Sequence, residues 1–331
     1  MTDSLMKSSS DVLSAIFVAL DRGKPSLGFW LLKQRLQQIE EDETNSKQLE
    51  QLLIQAVREE ATDIAVYLVE NSKVNVNIED KNDALIILAA NGKSGGSVDI
   101  VKSLIKSKGC NVNVKGSNGN TALMKACDNG SQETAMALLS HPLTDVNGVG
   151  EEDNTALICA ARRGLTPVVE LMMEREDLKV NHRGSNHLKG KSALIWAGEE
   201  GHSGVIRLLL QHHQLEVNMQ DEDGYTALIW AADNGHLEAA RELLHHEATD
   251  VNLMDLDGHT ALTWAADKGH TQVVALLLSN GRLEVNVTDN DGLCPLICAV
   301  NQAHAEVVSL LLQDERTDVN IEVRINWGKL H

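Results

Sequence analysis

The sequence predicts an all-α-dominated repeat solenoid of about nine helix pairs, and three observations support this fold class. First, Asp223–His236 (DGYTALIWAADNGH) and Asp257–His270 (DGHTALTWAADKGH) agree at almost every position and are offset by 34 in the numbering. Second, shorter motifs recur along the chain at the same interval. Third, only 3% of the 331 residues are aromatic and four are proline, which favours a core of aliphatic side chains on helices.

Two markers define the repeat. The Leu of each Thr-Ala-Leu-like motif recurs at intervals of 34, 37, 34, 34 and 34 along the chain, at Leu123, Leu157, Leu194, Leu228, Leu262 and Leu296. A Val-Asn pair follows the same spacing from Val112 to Asn320, and it shows one matching interval of 37. Both series therefore predict a three-residue insertion between Arg183 and Lys191.

Weaker copies lie upstream, centred on Ile16, Leu53 and Leu85. They raise the expected count to three divergent and six regular repeats. We expect the first and last repeats to act as polar caps. The expected organisation is an N-terminal tail at 1–10, a divergent capping repeat plus acidic loop (Gln37–Gln48) at 11–50, divergent repeats at 51–110, regular repeats at 111–320 and a C-terminal tail at 321–331.

One repeat shows how local sequence specifies its helices. Thr226 can N-cap a short helix that places Leu228 and Ala231 on one face, and Gly235 can end it. A second helix is expected at Leu237–Leu244, with Leu244 among its buried residues. Such short helices are not stable alone. Stacked copies can bury a continuous core, which explains why the same motif recurs.

The charge of the chain restricts its partners. The formal net charge is −19, which disfavours nucleic acid and anionic membrane surfaces. A basic or amphipathic protein segment is the electrostatic complement. We expect a monomer without a cofactor or a bound metal ion.

The cysteines and the N-terminal region bear on location. The chain has five cysteines and no CxxC pair, which favours a reducing cytoplasm over a disulfide framework. The apolar run Val12–Leu20 has the length of a signal-peptide core. Asp3 and Asp11 are atypical of a basic leader, and a helix uses the same residues fully, so we expect a helix here.

The motifs resemble those of the ankyrin-repeat family, whose signature is GxTPLHxAAxxGH followed by VVxLL and DVN. Asp223–His236, Val273–Leu278 (VVALLL) and Thr249–Asn252 (TDVN) match it closely. The resemblance is specific from Asn111 to Asn320 and weaker over Asp11–Asn77. A tetratricopeptide repeat fits less well, because it joins its helices without a DVN-turn segment.

Two departures from the family pattern affect the turns. Ala follows the capping Thr where the family has Pro, and Ile, Met or Thr replaces the His of TPLH. The resemblance implies that losing this His removes a side-chain bond between turn and helix. The Asn of each Val-Asn pair is expected to bond local backbone in its turn. The resemblance also implies hydroxylation of these Asn side chains as an alternative.

The resemblance implies that a partner binds along one face, through the turn tips and the exposed positions of each first helix. The turn acids Asp221, Asp255 and Asp289 are expected to add to the charge of this face, although a plain solvated face would show similar acids. The candidate binding residues are Arg162, Arg163, Glu199, Glu200, Asp233, Asn234, Asp267 and Lys268 before the inter-helix glycines, Glu222, Asp223, Tyr225, Asp257, His259 and Asp291 at the turns, and Trp196, Trp230 and Trp264 in the first helices.

The three tryptophans leave two interpretations open. They share one position in successive repeats, about 200° around the helix from the buried Leu. This position allows rings that pack between repeats or rings that contact a ligand. Trp is enriched in binding hot spots, so both roles are compatible.

No pattern in the sequence indicates catalysis. The Gly-His motif recurs at His202, His236, His270 and His304, which is typical of a repeat template rather than of metal ligands. No phosphate-binding loop or nucleophile elbow occurs. We expect a non-catalytic interaction module. Alternatives are a regulatory inhibitor of a partner enzyme and a secreted bacterial effector in a host cytosol. Only the N-terminal region and the repeat with the insertion could house an active centre.

Overall fold

The computed structural model describes residues 9–40, 45–80, 83–92, 98–185, 187 and 189–321. These residues contain 18 α-helices in a repeated arrangement with few strands. Consecutive helices form nine pairs, which confirms the expected number. The helices belong to two compact units, residues 1–151 and 152–331.

The first compact unit contains four helix pairs and one hairpin. The hairpin is antiparallel, pairs β1 (Glu79–Asp80) with β2 (Asp83–Ala84) and directly precedes α5. The helices are α1 (Ser9–Asp21), α2 (Pro25–Glu40), α3 (Ser46–Arg58), α4 (Thr62–Asn71), α5 (Leu85–Ala90), α6 (Val98–Lys106), α7 (Ala122–Asp128) and α8 (Gln132–Leu139).

The second compact unit contains five helix pairs. The first helices of these pairs are α9 (Ala156–Arg162), α11 (Ala193–Glu199), α13 (Ala227–Asp233), α15 (Ala261–Asp267) and α17 (Pro295–Asn301). The second helices are α10 (Thr166–Met173), α12 (Ser203–Leu209), α14 (Leu237–His245), α16 (Thr271–Leu278) and α18 (Ala305–Gln313).

Each compact unit is built from two rows of helices. In the second unit α9, α11, α13, α15 and α17 pack side by side, and their partner helices form a parallel row. Small residues allow the close approach of the first helices: a Cβ added at Gly198 would lie 2.5 Å from the carbonyl oxygen of Ala227. These first helices are only two turns long, so neighbouring repeats supply most of their stability.

The repeat from Thr226 onward follows the predicted pattern with one difference. The Thr226 hydroxyl accepts a hydrogen bond from the Ile229 amide. Gly235 adopts φ +71°, the left-handed conformation that ends α13. In α14 the buried residues are Ala239, Ala240 and Leu243. The prediction that Leu244 is buried was wrong: the helix turns it partly towards solvent.

The N-terminal region is more helical than expected. Helix α2 continues through Glu40, and its Ile39 is fully buried. The predicted acidic loop Gln37–Gln48 therefore overlaps two helices, and its residues 41–44 lie outside the described residues. The apolar run Val12–Leu20 lies within α1 and contributes to the core. The segment Gly92–Ser97 (GKSGGS) is rich in glycine, and of its residues only Gly92 is described.

The first and last helix pairs are not polar caps, contrary to the prediction. In the first pair Trp30 on α2 is 59% exposed, and Leu27 on α2 and Val18 on α1 are also exposed. At the other end of the described chain, Val300 and Val319 are exposed. Apolar side chains that internal repeats cover are therefore open to solvent in these two pairs.

The three-residue insertion extends one turn of the second unit. Arg183 forms an isolated antiparallel bridge with Ser192, and the Arg183 side chain donates from Nε to the Gly190 carbonyl at 2.8 Å. The Glu222 amide then bonds the Lys189 carbonyl. The longer turn thus keeps its backbone bond to the following repeat. Residues 186 and 188 lie outside the description.

In six Val-Asn pairs the Asn bonds the next repeat, not its own turn as predicted. Asn252 donates from Nδ2 to the Arg282 carbonyl at 2.9 Å and accepts from the Glu284 amide at 2.9 Å. The same two bonds recur along the chain, at Asn77, Asn113, Asn181, Asn218 and Asn286. We call these residues the Asn staples.

Removing one staple should destabilise the protein. We expect Asn252→Ala to lower the free energy of unfolding by about 1–2 kcal/mol, because two backbone groups lose their partner. The control is Asn301→Ala on the exposed surface of α17, which should have almost no effect. Urea unfolding followed by circular dichroism measures both. Equal effects of the two changes would contradict a stapling role.

Candidate interaction surface

A buried carboxylate organises each regular turn of the second unit. Asp221 Oδ1 accepts from the amides of Asp223 and Tyr225, at 3.0 and 2.9 Å. Its Oδ2 accepts from Trp230 Nε1 at 2.8 Å. One side chain therefore fixes the turn and ties it to helix α13.

The next turn repeats this arrangement with Asp255. Asp255 Oδ2 accepts from Trp264 Nε1 at 2.7 Å, and Oδ1 accepts from the amides of Asp257 and His259. The expected loss of the bond between turn and helix was wrong at these two turns. The indole N–H of Trp230 and of Trp264 makes that bond in place of the family His.

The residues that follow three of the turn glycines pack against the tryptophans. The Tyr225 ring lies 4.6 Å from the Trp230 ring and 5.7 Å from the Trp264 ring. Lys191 Nζ lies 4.6 Å from the Trp196 ring centre and 3.9 Å from that of Trp230. His259 lies 4.7 Å from Trp264. We call these six residues the aromatic column.

The aromatic column shows how the tryptophans pack between repeats. All three rings are half-buried and pack between repeats, against the interleaved Lys, Tyr and His. The rings therefore stabilise the packing between repeats, and a partner could contact only part of each ring.

Lys191 is a buried cation within the column. Its side chain is 6% exposed and pairs with the Glu199 carboxylate. A buried charge requires such a partner, and the two indole faces add cation–π attraction. Arg162 contacts the Trp196 ring at 5.4 Å. Trp196 Nε1 is buried without a hydrogen-bond partner, because His187 stands one repeat interval before Asp221, where a carboxylate would be needed.

His259 bridges two buried carboxylates at the end of the column. Its Nε2 lies 3.2 Å from Asp289 Oδ2, and its Nδ1 lies 3.6 Å from Asp255 Oδ1. Cys298 occupies the tryptophan position of this repeat, so Asp289 has His259 in place of an indole. The Asp255 carboxylate, supported by Asp289, raises the pKa of His259 above its ordinary value of 6.5. Burial tends to raise the pKa of Asp255, but the bonds to His259 and Trp264 outweigh it and hold that pKa low.

Burial also raises the pKa of Asp233, beside the column, and of Tyr225, within it. Burial raises the pKa of Asp233, against the opposing charge of Lys268. One oxygen of Asp233 is buried without a hydrogen-bond partner. Burial, followed by the charges of Asp255 and Asp233, raises the pKa of Tyr225 well above its ordinary value. The phenol is therefore neutral at physiological pH.

The turn acids divide into a buried and an exposed set. Asp221, Asp255 and Asp289 are 5%, 7% and 8% exposed, so the expectation that they contribute charge to an open face was wrong. Their polar atoms hold the turns instead. The exposed candidates are Glu222, Asp223, Asp257 and Asp291 at the turns, and Arg163, Glu200, Asn234 and Lys268 at the helix ends.

Several exposed candidates also make contacts within the protein. Asp223 pairs with Lys189 at 2.9 Å, and Asn234 donates to the Glu199 carbonyl at 3.2 Å. Asp267 accepts from Gln302 at 3.0 Å. Near the insertion, Lys189 and Lys191 are thus matched by acids, which leaves the exposed charge of the turn tips acidic.

Sequence reasoning missed two exposed apolar residues at the Asp255 turn. Leu256 is 71% exposed and Met254 is 44% exposed. The signal was present in the sequence, because the positions one repeat before and one repeat after Leu256 are Glu222 and Asn290. An apolar residue at the tip of an acidic turn serves no internal packing, so it is a candidate for contact with a partner.

The recurrent histidines have a structural role. His236 Nε2 contacts the Glu199 carbonyl at 2.9 Å, and His270 Nε2 contacts the Asp233 carbonyl at 2.8 Å. Each ring therefore bonds the carbonyl oxygen of the last residue of the preceding first helix. Among the described residues no group of three His, Cys, Asp or Glu side chains could hold a metal ion.

Comparison with known proteins agrees with this architecture. The family of ankyrin repeats (3 copies) matches residues 85–184, 168–255 and 243–323, which together exceed half of the chain. The chain belongs to the ankyrin-repeat family. Ankyrin repeats are generally protein–protein interaction modules and are typically non-catalytic.

Two individual proteins illustrate the similarity. The solved crystal structure of EF0377, an ankyrin repeat protein, matches with a TM-score of 0.53 and 25% identity, over 58% of this chain and 96% of that chain. The human photoreceptor ankyrin repeat protein is 48% identical over 58 residues, which are 17% of this chain. The match spans only 13% of the human protein.

The first compact unit contains a cleft of about 420 Å³ between α2, α4 and α6. Phe29, Val66 and Tyr67 form its apolar part, and Ser103 lies in its wall. The Ser103 hydroxyl is buried without a hydrogen-bond partner. It therefore lacks the adjacent base that would activate a nucleophile. In the described part of the chain no helix has the length and apolar character needed to cross a membrane.

The indole bond to the turn can be isolated by a matched pair of variants. We expect Trp264→Phe to lower the free energy of unfolding by about 1–3 kcal/mol more than Trp196→Phe does. Both changes shorten a ring of the column, but only the first leaves a buried carboxylate oxygen unpaired. Chemical unfolding measures the difference. Equal losses would show that Asp255 does not depend on Trp264.

The raised pKa of His259 predicts a pH-dependent stability. Protonated His259 stabilises the fold, fully at pH below 6.5, and this contribution is lost as the pH rises through the raised pKa. We expect His259→Gln to destabilise the protein more at pH 6 than at pH 9. Unfolding at both pH values tests this, and an NMR titration of the ring locates the pKa. A loss that is the same at both values would refute the bridge.

Proposed function

We propose that the second compact unit binds a basic or amphipathic segment of another protein along the tips of its turns. The observation that supports this proposal most directly is the row of exposed acids at Glu222, Asp257 and Asp291 around the exposed Leu256. These residues lie on three successive turns, so a partner segment can contact several turns in succession.

The rigidity of the turns supports binding. Backbone bonds connect successive turn tips: the Leu256 amide donates to the Asp223 carbonyl, and the Asn290 amide donates to the Asp257 carbonyl. The buried carboxylates fix each turn internally. A surface that is ordered before binding loses less conformational entropy when a partner arrives.

The chemistry of the tips selects a class of partner. The net charge of −19 attracts basic segments over long range. Leu256 and the exposed parts of Trp230 and Trp264 offer apolar contact beside the acids. Lys or Arg residues that alternate with apolar residues would complement this surface.

The cysteines support a reducing compartment as the place of action. None of the five forms a disulfide, and burial raises the pKa of Cys110 to about 11 and that of Cys298 to about 12. Both remain thiols at neutral pH and are poor nucleophiles. We propose that the protein is a cytoplasmic monomer.

Charge reversal at the turn tips tests the proposed surface. The variant Glu222→Lys, Asp257→Lys, Asp291→Lys should weaken partner binding at least about tenfold. The matched control is Glu176→Lys, Glu284→Lys, Glu315→Lys, which reverses three exposed acids in the loops after the second helices. The control should retain binding.

The partner for this measurement comes from affinity capture on the unmodified chain, followed by identification and calorimetry with the purified protein. Circular dichroism confirms that both variants fold. If the two variants bind equally, the turn-tip assignment fails. If the partner is an enzyme, its activity with and without this chain separates an inhibitor from a tether.

A further inference from the structure

The cleft of the first compact unit has two walls with the same spacing of residues. On both α4 and α6, four of the residues that line it stand at positions i, i+3, i+4 and i+7, which is one face of a helix. They are Asp63, Val66, Tyr67 and Glu70 on α4, and Asp99, Lys102, Ser103 and Lys106 on α6. Each wall therefore extends for two helical turns, about 10 Å. Because α4 and α6 pack side by side, the cleft runs along both helices.

The interior of the cleft is apolar and contains one unsatisfied polar group. The Phe29 and Tyr67 rings meet edge to face, with their centres 5.6 Å apart. Ser103 is 4% exposed, and its hydroxyl has no hydrogen-bond partner among the described residues. A buried hydroxyl without a partner destabilises the fold. A ligand group that bonds Ser103 would satisfy this hydroxyl.

Ser103 differs from the residues at its position in later second helices. It directly precedes the buried Leu104. The residues that precede the equivalent buried positions of α8, α10, α12, α16 and α18 are Ala137, Leu171, Leu208, Leu276 and Leu310. In α14 this residue is Glu242, which pairs with Arg207 at 2.6 Å. The later helices therefore have an apolar or a paired side chain where α6 has an unpaired hydroxyl, so stacking of the repeats does not require Ser103.

The two walls carry exposed charges of opposite sign. Glu70 lies in the last turn of α4, where the helix dipole disfavours an acid. Lys102 stands one turn before Lys106, and like charges at this spacing weaken a helix. Among the described residues none of these three side chains has an ion-pair partner. Neither arrangement stabilises its own helix, so the charges are available to a ligand.

We propose that the cleft binds an amphipathic helix of a partner protein, with an apolar ridge between flanks of opposite charge. The ridge contacts Phe29, Val66 and Tyr67, and one polar side chain within it bonds the Ser103 hydroxyl. Basic residues on one flank pair with the acids of α4, and acidic residues on the other flank pair with the lysines of α6. Two neighbouring helices accept a third in this way, because its ridge of side chains fits the groove between them.

The openness of the cleft favours a helix over a small molecule. Sites for small molecules enclose most of the ligand surface, whereas the charged residues of both walls are exposed to solvent. A protein ligand also agrees with the general role of ankyrin repeats as interaction modules. The inference does not rest on the proposed turn-tip surface, which belongs to the other compact unit and selects a basic segment.

A designed helical peptide tests the proposal on the full chain. The probe is a fluorescein-labelled, Ala-rich helix of about 18 residues, with Leu and one Ser on one face, Lys on one flank and Glu on the other. Lys102→Glu with Lys106→Glu should weaken its binding at least about tenfold, because both walls then repel the Glu flank. The matched control is Lys24→Glu with Lys47→Glu, two exposed lysines outside the cleft, which should change binding less than about twofold. Fluorescence anisotropy measures each dissociation constant.

A substitution inside the cleft gives a second readout. Ser103→Leu should fill the cleft and weaken peptide binding at least about tenfold. Leu occupies this position in α10, α12 and α16, so urea unfolding should show that the variant keeps its stability.

The turn-tip variant Glu222→Lys, Asp257→Lys, Asp291→Lys separates this cleft from the surface proposed above, because it should bind the peptide as tightly as the unmodified chain. The proposal is overturned if the unmodified chain does not bind the peptide or if the two lysine pairs have equal effects. Unchanged binding by Ser103→Leu, or loss of binding in the turn-tip variant, would also overturn it.

Discussion

The carboxylate buried at the start of each regular turn is the constraint on which the second compact unit depends. It satisfies two backbone amides of its own turn and, in two repeats, the indole of the following helix. A buried carboxylate is costly unless every oxygen has a partner. The position of each tryptophan is therefore set by an electrostatic requirement, and the packing of the column follows from it.

This dependence explains the one irregular member of the column. The insertion places His187 where a carboxylate would stand, and Trp196 has lost its hydrogen-bond acceptor. Lys191 then fills the position that Tyr225 takes one repeat later, with Glu199 as its counter-ion. A cation and a carboxylate here stabilise a ring that the turn cannot hold.

The sequence specified the repeats well because their signals are local. The Thr caps, the small residues and the inter-helix glycines act within a few positions, and the helices at Ala227–Asp233 and Leu237–His245 lie close to where they were predicted. The contacts between repeats were harder to predict from the sequence. Asn252 bonds residues 30 and 32 positions away, and no local pattern reveals that. The burial of Asp255 was missed because an acid in a turn is usually solvated.

The site was predicted only in part for the same reason. The candidate list contained the exposed acids Asp257 and Asp291, because exposure at a turn tip can be read from composition. It omitted Leu256, whose meaning appears only when equivalent positions in different repeats are compared. It also treated His259 and Tyr225 as surface residues, although their neighbours lie one repeat away and determine their protonation.

The Asn staples have a consequence for how such a chain can change its length. Each staple links a repeat only to its successor, through backbone atoms that every repeat supplies. Duplicating or deleting one whole repeat would therefore leave every staple with a partner. The aromatic column does not share this tolerance. Deleting the repeat that carries Tyr225 and Trp230 would bring the Lys191 ammonium against the Trp264 ring. The indole N–H of Trp264 already donates a hydrogen bond to Asp255. Whole repeats can thus be added or removed without breaking the backbone bonds of the Asn staples. The side chains between the rings, in contrast, fit only the present order of the repeats.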